Sequence, residues 1–161
     1  MPPRFESSHK EHQIYEDRVC LHPLGEEATA GAGTGTVEAE LPGDCRAVLI
    51  HCHHNLTATG DALDLIDIVV QTALLDDTGT NQWVDVCWFT QIDGAMAAAV
   101  EMFDKVCASL NQAHFELTAD PIAADGKRHV IGSKWRVRWV ITDGGGAGTH
   151  AFTFSVSLHP M

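Results

Sequence analysis

Lys134-Trp-Arg-Val-Arg-Trp-Val-Ile141, followed after a Gly-rich loop by Phe152-Thr-Phe-Ser-Val-Ser-Leu158, is the stretch that decides the fold. Trp135, Val137, Trp139 and Ile141 fall on one side of an extended chain, and Lys134, Arg136 and Arg138 on the other. In the second run Phe152, Phe154, Val156 and Leu158 alternate with Thr153, Ser155 and Ser157. Successive strand residues point to opposite faces, so this period of two describes antiparallel strands with one buried and one wet face. The intervening Asp143-Gly-Gly-Gly-Ala-Gly148 predicts a hairpin joining the two.

The same signal continues upstream. Val37, Ala39 and Leu41 alternate with Glu38 and Glu40; Cys45 to His54 is a β-favouring run around Val48, Leu49 and Ile50; Leu63 to Gln71 is nearly continuous apolar sequence. Trp83 to Thr90 places Val84, Val86 and Trp88 on one face and Trp83, Asp85, Cys87 and Phe89 on the other. Turn residues at Pro42-Gly43-Asp44 and Asp76-Asp-Thr-Gly-Thr80 punctuate the runs. One segment departs from the pattern. Met96, Val100, Phe103, Cys107 and Leu110 recur every three or four residues in an Ala-rich stretch, which predicts a helix at about 95–110. Asn111 to Thr118 then returns to strand, with Phe115 and Leu117 inward. The expected fold class is mainly β: an antiparallel, jelly-roll-like β-sandwich with one inserted helix.

Residues 1 to 35 read differently. The stretch is polar, shows no period of 2 or 3.6, and is broken by Pro23 and Gly25 before the spacer Gly31-Ala-Gly-Thr-Gly35. It is expected to be an extended N-terminal arm, with the sandwich domain at 36–161. Phe5, Ile14, Tyr15 and Leu21 are its interface residues if the arm lies on a neighbouring surface. The alternative is a merely disordered tail.

The 10 Lys plus Arg residues against 22 Asp plus Glu give the 161-residue chain a formal net charge of −12. Such a surface repels phosphate backbones and anionic lipid, so neither nucleic acid nor membrane is an expected partner. No apolar run approaches the roughly 20 residues of a membrane span. The sequence Met1-Pro-Pro-Arg-Phe-Glu6 has no apolar signal core, so the mature chain is expected to start near Met1 and to form in a cytoplasm. Five cysteines with no C-x-x-C pair argue for reduced, buried thiols over a disulfide framework.

Candidate chemistry is sparse. His51-Cys-His-His54 carries potential zinc or copper ligands, but a strand sends His51 and His53 to one face and Cys52 and His54 to the other. Its plainer reading is a polar strand edge or an interface patch. The Gly31-x-Gly-x-Gly35 run lacks the strand and Lys of a phosphate loop. Asp61, Asp64, Asp67, Asp76 and Asp77 do not follow calcium-loop spacing and read as solvated loop carboxylates. No nucleophile elbow occurs. No catalytic residue, metal ligand or cofactor is expected, and the chain is not expected to be an enzyme. Arg136 and Arg138, with Lys134, form a basic stripe that pairs with acids on an adjacent strand or with an acidic partner.

The body resembles a β-sandwich of tailed-phage virion proteins. The resemblance rests on Val69-Val-Gln-Thr72, Asp77-Thr-Gly-Thr-Asn-Gln-Trp83, Val84-Asp-Val-Cys-Trp-Phe-Thr-Gln91, Trp135-Arg-Val-Arg-Trp139 and Phe152-Thr-Phe-Ser-Val156, and spans roughly residues 60 to 158. It is similar to capsid cement (decoration) proteins and other minor virion proteins of jelly-roll type. The resemblance implies a structural protein of the bacteriophage virion that is made in the host cytoplasm. There it would bind the outer surface of the capsid and tie capsomers together. Its partners would be the major capsid protein and copies of itself, as a homo-oligomer (dimer or trimer). The long arm and the Ala-rich segment depart from the pattern.

Two other readings stand beside it. A tail or fibre-associated jelly-roll recognising carbohydrate or a host receptor would need exposed aromatics, whereas Trp83, Trp88, Trp135 and Trp139 read mostly as inward. A cupin-like metal-dependent enzyme would rest only on the His-rich strand.

Overall fold

The computed structural model describes residues 18–35, 38–41, 45–55, 62–75, 77–95, 99–107, 131–132, 134–145 and 150–161. In chain order the strands are β1 (Val19–Glu27), β2 (Gly31–Thr34), β3 (Ala39–Glu40), β4 (Ala47–His54), β5 (Leu65–Leu75), β6 (Asn81–Trp88), β7 (Ile92–Asp93), β8 (Val100–Cys107), β9 (Lys134–Thr142) and β10 (Phe152–Pro160). They form two antiparallel sheets. One runs β1-β10-β4-β8; the other runs β2-β9-β5-β6, with β3 also on β9 and β7 also on β5. The chain is mainly β, and no helix occurs among the described residues.

The period of two works as expected where it is cleanest. Trp135, Val137, Trp139 and Ile141 on β9, and Phe152, Phe154, Val156 and Leu158 on β10, all enter one core with Val48, Ile50, Ile66, Ile68 and Val70. Burying one such apolar side chain is worth about 1.5–3 kcal/mol, so the facing rows supply most of the driving force for closure.

The connection between those two strands is not a hairpin. β9 lies in the six-stranded sheet and β10 in the four-stranded one, so the Gly-rich loop carries the chain from one sheet to the other. Two strands whose apolar faces are both wholly buried satisfy that demand by facing each other across the core. Alternation alone does not choose between this arrangement and a hairpin, since β5 and β9 lie side by side and also bury the same face in the core.

The expected helix at 95–110 is likewise corrected. Val100 to Cys107 is β8, paired with β4 residue by residue from His54↔Val100 to Ala47↔Cys107. Glu101, Phe103 and Lys105 point outward and are exposed. The three-and-four spacing counted Phe103 as a core residue, yet it is 61% exposed. Pairing β8 to β4 satisfies a row of β4 backbone groups that a helix would leave open, and this outweighs the helix propensity of the stretch. Residues 96–98 and 108–110 lie outside the described residues, as do Phe115 and Leu117.

The arm also ends earlier than residue 35. Val19–Glu27 pairs with β10, and Leu21 is wholly buried in the core. Pro23 and Gly25 do not break this strand; they sit where its register shifts, between Cys20 and His22 and between His22 and Gly25. β1 is the edge of its sheet, the one place where a proline withholds no needed ladder donor. The Gly31–Thr34 spacer is strand β2 on β9, in which Gly33 pairs with Trp139. A Cβ on Gly33 would run into the Trp139 indole, so glycine is there for close approach and not for slack.

Candidate binding face

The strand registers set what faces outward on the six-stranded sheet. Val69 pairs with Arg138, Gln71 with Arg136 and Ala73 with Lys134. On the other side of β5, Ala73 pairs with Trp83, Gln71 with Asp85 and Val69 with Trp88. A bulge, opposite the step from Val70 to Gln71, admits Val86 as an extra residue on β6. That extra residue puts Trp83, Asp85 and Trp88 on one outward face and turns Cys87 into the core. The alternation read from sequence had separated Trp88 from Trp83 and placed Cys87 with Trp83. A bulge has no local sequence signature, so only the pairing with β5 reveals it.

These outward side chains interlock. Arg136 Nε donates to Gln71 Oε1 at 2.8 Å, Gln71 Nε2 donates to Asp85 Oδ1 at 2.5 Å, and Trp88 Nε1 donates to Asp85 Oδ2 at 3.3 Å. The Arg136 guanidinium lies 4.0 Å from the Trp83 ring centroid, in cation–π range. Gln71 and Asp85 are buried beneath this cover, while Trp83 and Trp88 stay half-exposed. Burial lowers the Arg136 pKa; Arg138 adds to that, and Glu38 and Asp85 oppose it. The guanidinium remains charged at any physiological pH. The result is a rigid platform of two indoles, a cation and a hydrogen-bonded amide–carboxylate pair. It can stack on flat groups and hydrogen-bond to polar ones.

The outward face of the four-stranded sheet carries a second group. His51 and His53 point out, and Cys52 and His54 point into the core, as strand alternation requires. The Glu101 carboxylate contacts His51 Nε2, and its Oε1 lies 2.6 Å from His53 Nδ1 without hydrogen-bond alignment. Hydrogen bonding to His51 is the main cause holding Glu101 below its ordinary pKa. Phe103 stacks on His51 with centroids 4.5 Å apart. Inside, burial pushes the Cys52 thiol up to about 12, so it is an inert core thiol. The described cysteines are free; Cys52 and Cys87 are buried as read from sequence, whereas Cys20, Cys45 and Cys107 are half-buried.

Of the residues read from sequence as interface, Arg136 and Arg138 lie on the outward face of the six-stranded sheet. Leu21 is core. Phe5, Ile14 and Tyr15 lie outside the described residues. The structure groups Arg136 with Trp83, Gln71, Asp85 and Trp88, none of which sequence reasoning had placed in a site. It also buries Asp64, which had read as a solvated carboxylate, at 3% exposure.

No family model matches the chain, and no curated protein matches it. Among solved structures, a similar chain occurs in the structure of infectious bursal disease virus Gx strain. The two share 12% identity with a TM-score of 0.48, over 88% of this chain and 30% of the viral one. The chain thus spans under a third of that protein's length.

Proposed function

We propose that the chain is a structural virion protein of the jelly-roll cement type, without catalytic activity. It binds the outer surface of a phage capsid and stabilises contacts between capsomers. The reading rests on the sequence resemblance at residues 60 to 158. The observation that carries it to a surface is the outward Arg136–Trp83–Gln71–Asp85 platform. Aromatic residues and Arg are the side chains enriched where proteins bind each other, and here they are already held in place, which lowers the ordering cost of docking. The partners are the major capsid protein and further copies of this chain. A protein that binds only the assembled lattice stabilises it by mass action. Residues 1–17, with Phe5, Ile14 and Tyr15, add a second point of attachment and therefore avidity.

The test is copy number in purified particles. Near-stoichiometric amounts relative to the major capsid protein are expected, on the capsid surface by immunogold labelling. Absence from particles would refute the reading. Deletion of residues 1–17 should weaken attachment and leave the fold intact. A longer deletion would not test this, because removing β1 takes Leu21 from the core.

A second reading, a tail or fibre module recognising carbohydrate or a host receptor, gains from Trp83 and Trp88 facing outward. Labelling confined to the tail, with glycan binding lost in Trp83→Ala, would favour it over the first.

A further inference from the structure

We propose that Asp64, Asp143 and His150 form a site for one divalent transition-metal ion, with zinc preferred, at one end of the sandwich. The ladder between β5 and β9 ends at the pair Leu65↔Thr142. The next residues outward on the two strands, Asp64 and Asp143, are therefore neighbours. His150 leads into β10 and so arrives from the opposite sheet. One carboxylate oxygen from each aspartate and one ring nitrogen of His150 all lie within 4.8 Å of one another. Donors sit about 2.0–2.2 Å from a zinc ion, so three donors gathered this closely can share one centre.

The carboxylates are held in place from behind. Asp64 Oδ1 accepts the Gly144 N–H at 2.9 Å, and Asp143 Oδ1 accepts the Gly145 N–H at 2.8 Å. The Asp64 carbonyl accepts the Gly94 N–H at 2.8 Å, fixing the backbone beneath. Gly144 is wedged against Leu63, where a Cβ would collide. Orienting bonds of this kind are what metal-ligating side chains ordinarily have.

A separate observation points to a ligand. His150 Nε2 is sealed from solvent and has no hydrogen-bond partner. A buried polar atom left unpaired costs about 1–3 kcal/mol, and such atoms in native structures call for a cause. With Nε2 as the ligand nitrogen of the proposed site, a cation shared with the two carboxylates removes the penalty and offsets the repulsion between the carboxylates. One nitrogen and two carboxylate oxygens suit zinc or manganese. Calcium wants six to eight oxygens, by general coordination chemistry. Water completes the shell, and the bound ion clips the two sheets together at this end.

The test uses the full chain carrying His51→Gln and His53→Gln, which silence the other outward histidine pair, after chelator treatment. Calorimetric titration with zinc chloride is expected to show one ion per chain, bound at least tenfold more tightly than calcium, and zinc should raise the melting temperature. Asp143→Asn and His150→Gln should each weaken zinc at least tenfold and cancel the thermal shift. Asp64→Asn keeps an oxygen to accept the Gly144 N–H but puts an amide NH2 into a buried position, so the other two variants decide. Failure to saturate at one zinc per chain, zinc uptake indifferent to both variants, or preference for calcium would each overturn the assignment.

Discussion

Trp139 and Phe154 meet edge to face across the core, with centroids 5.4 Å apart and ring planes at 75°, although they stand on consecutive strands of the chain. The contact welds the two sheets at mid-core. His22 joins it, stacked 4.4 Å from Phe154 and edge-on to Trp139 at 4.9 Å. Phe154→Ala should therefore cost about 3–5 kcal/mol, read from urea denaturation. A loss under about 1 kcal/mol would contradict a close-packed junction.

Gly33 lies against the Trp139 indole. Gly→Ala in a strand commonly stabilises slightly by stiffening the unfolded chain. Here the sign reverses: Gly33→Ala should destabilise by about 1–3 kcal/mol through overpacking. The variant's melting temperature decides the sign.

Arg136→Lys keeps the charge and loses the planar donor. Gln71 Oε1 is then left buried without its partner, and the guanidinium stack on Trp83 disappears. A loss of about 1–3 kcal/mol is expected by equilibrium denaturation. If the face is the docking surface, Trp83→Ala should reduce capsid attachment severalfold while leaving the circular dichroism spectrum unchanged.

His54 is wholly buried, with neither ring nitrogen hydrogen-bonded. Burial, helped by His53, lowers its pKa from the ordinary 6.5. The unfolded chain thus takes up a proton near pH 6.5 that the folded chain resists. Stability is fully present above that pH and falls as pH drops below it, by at most about 1.4 kcal/mol per pH unit from this group. Glu101, also lowered, acts in the same sense but only below its ordinary 4.5. Between pH 5 and 7, His54→Leu should flatten the slope of stability against pH, measured by denaturation midpoints.

The two-residue rhythm of β9 and β10 was fully legible, because a sandwich strand with one buried face has to alternate. So was the split of His51 and His53 from Cys52 and His54. What stayed illegible depended on partners remote in the chain. The strand character of Val100–Cys107 comes from β4, more than forty residues earlier. The outward turn of Trp88 comes from a bulge against β5. β1 and β2 carry Pro and Gly that locally signal irregular chain, and only their pairing with β10 and β9 makes them strands. The Asp64–Asp143–His150 group is gathered by the end of a ladder, which no spacing rule encodes.

The position of β10 has a consequence for synthesis. It sits between β1 and β4, so β1 has no sheet partner, and β4 has only β8, until residues 152–160 have left the ribosome. Through most of translation the nascent chain therefore carries two strand edges open to mispairing. Assembly of that sheet waits on long-range closure, a slow step for β topologies, and the acidic surface helps to keep such chains apart meanwhile.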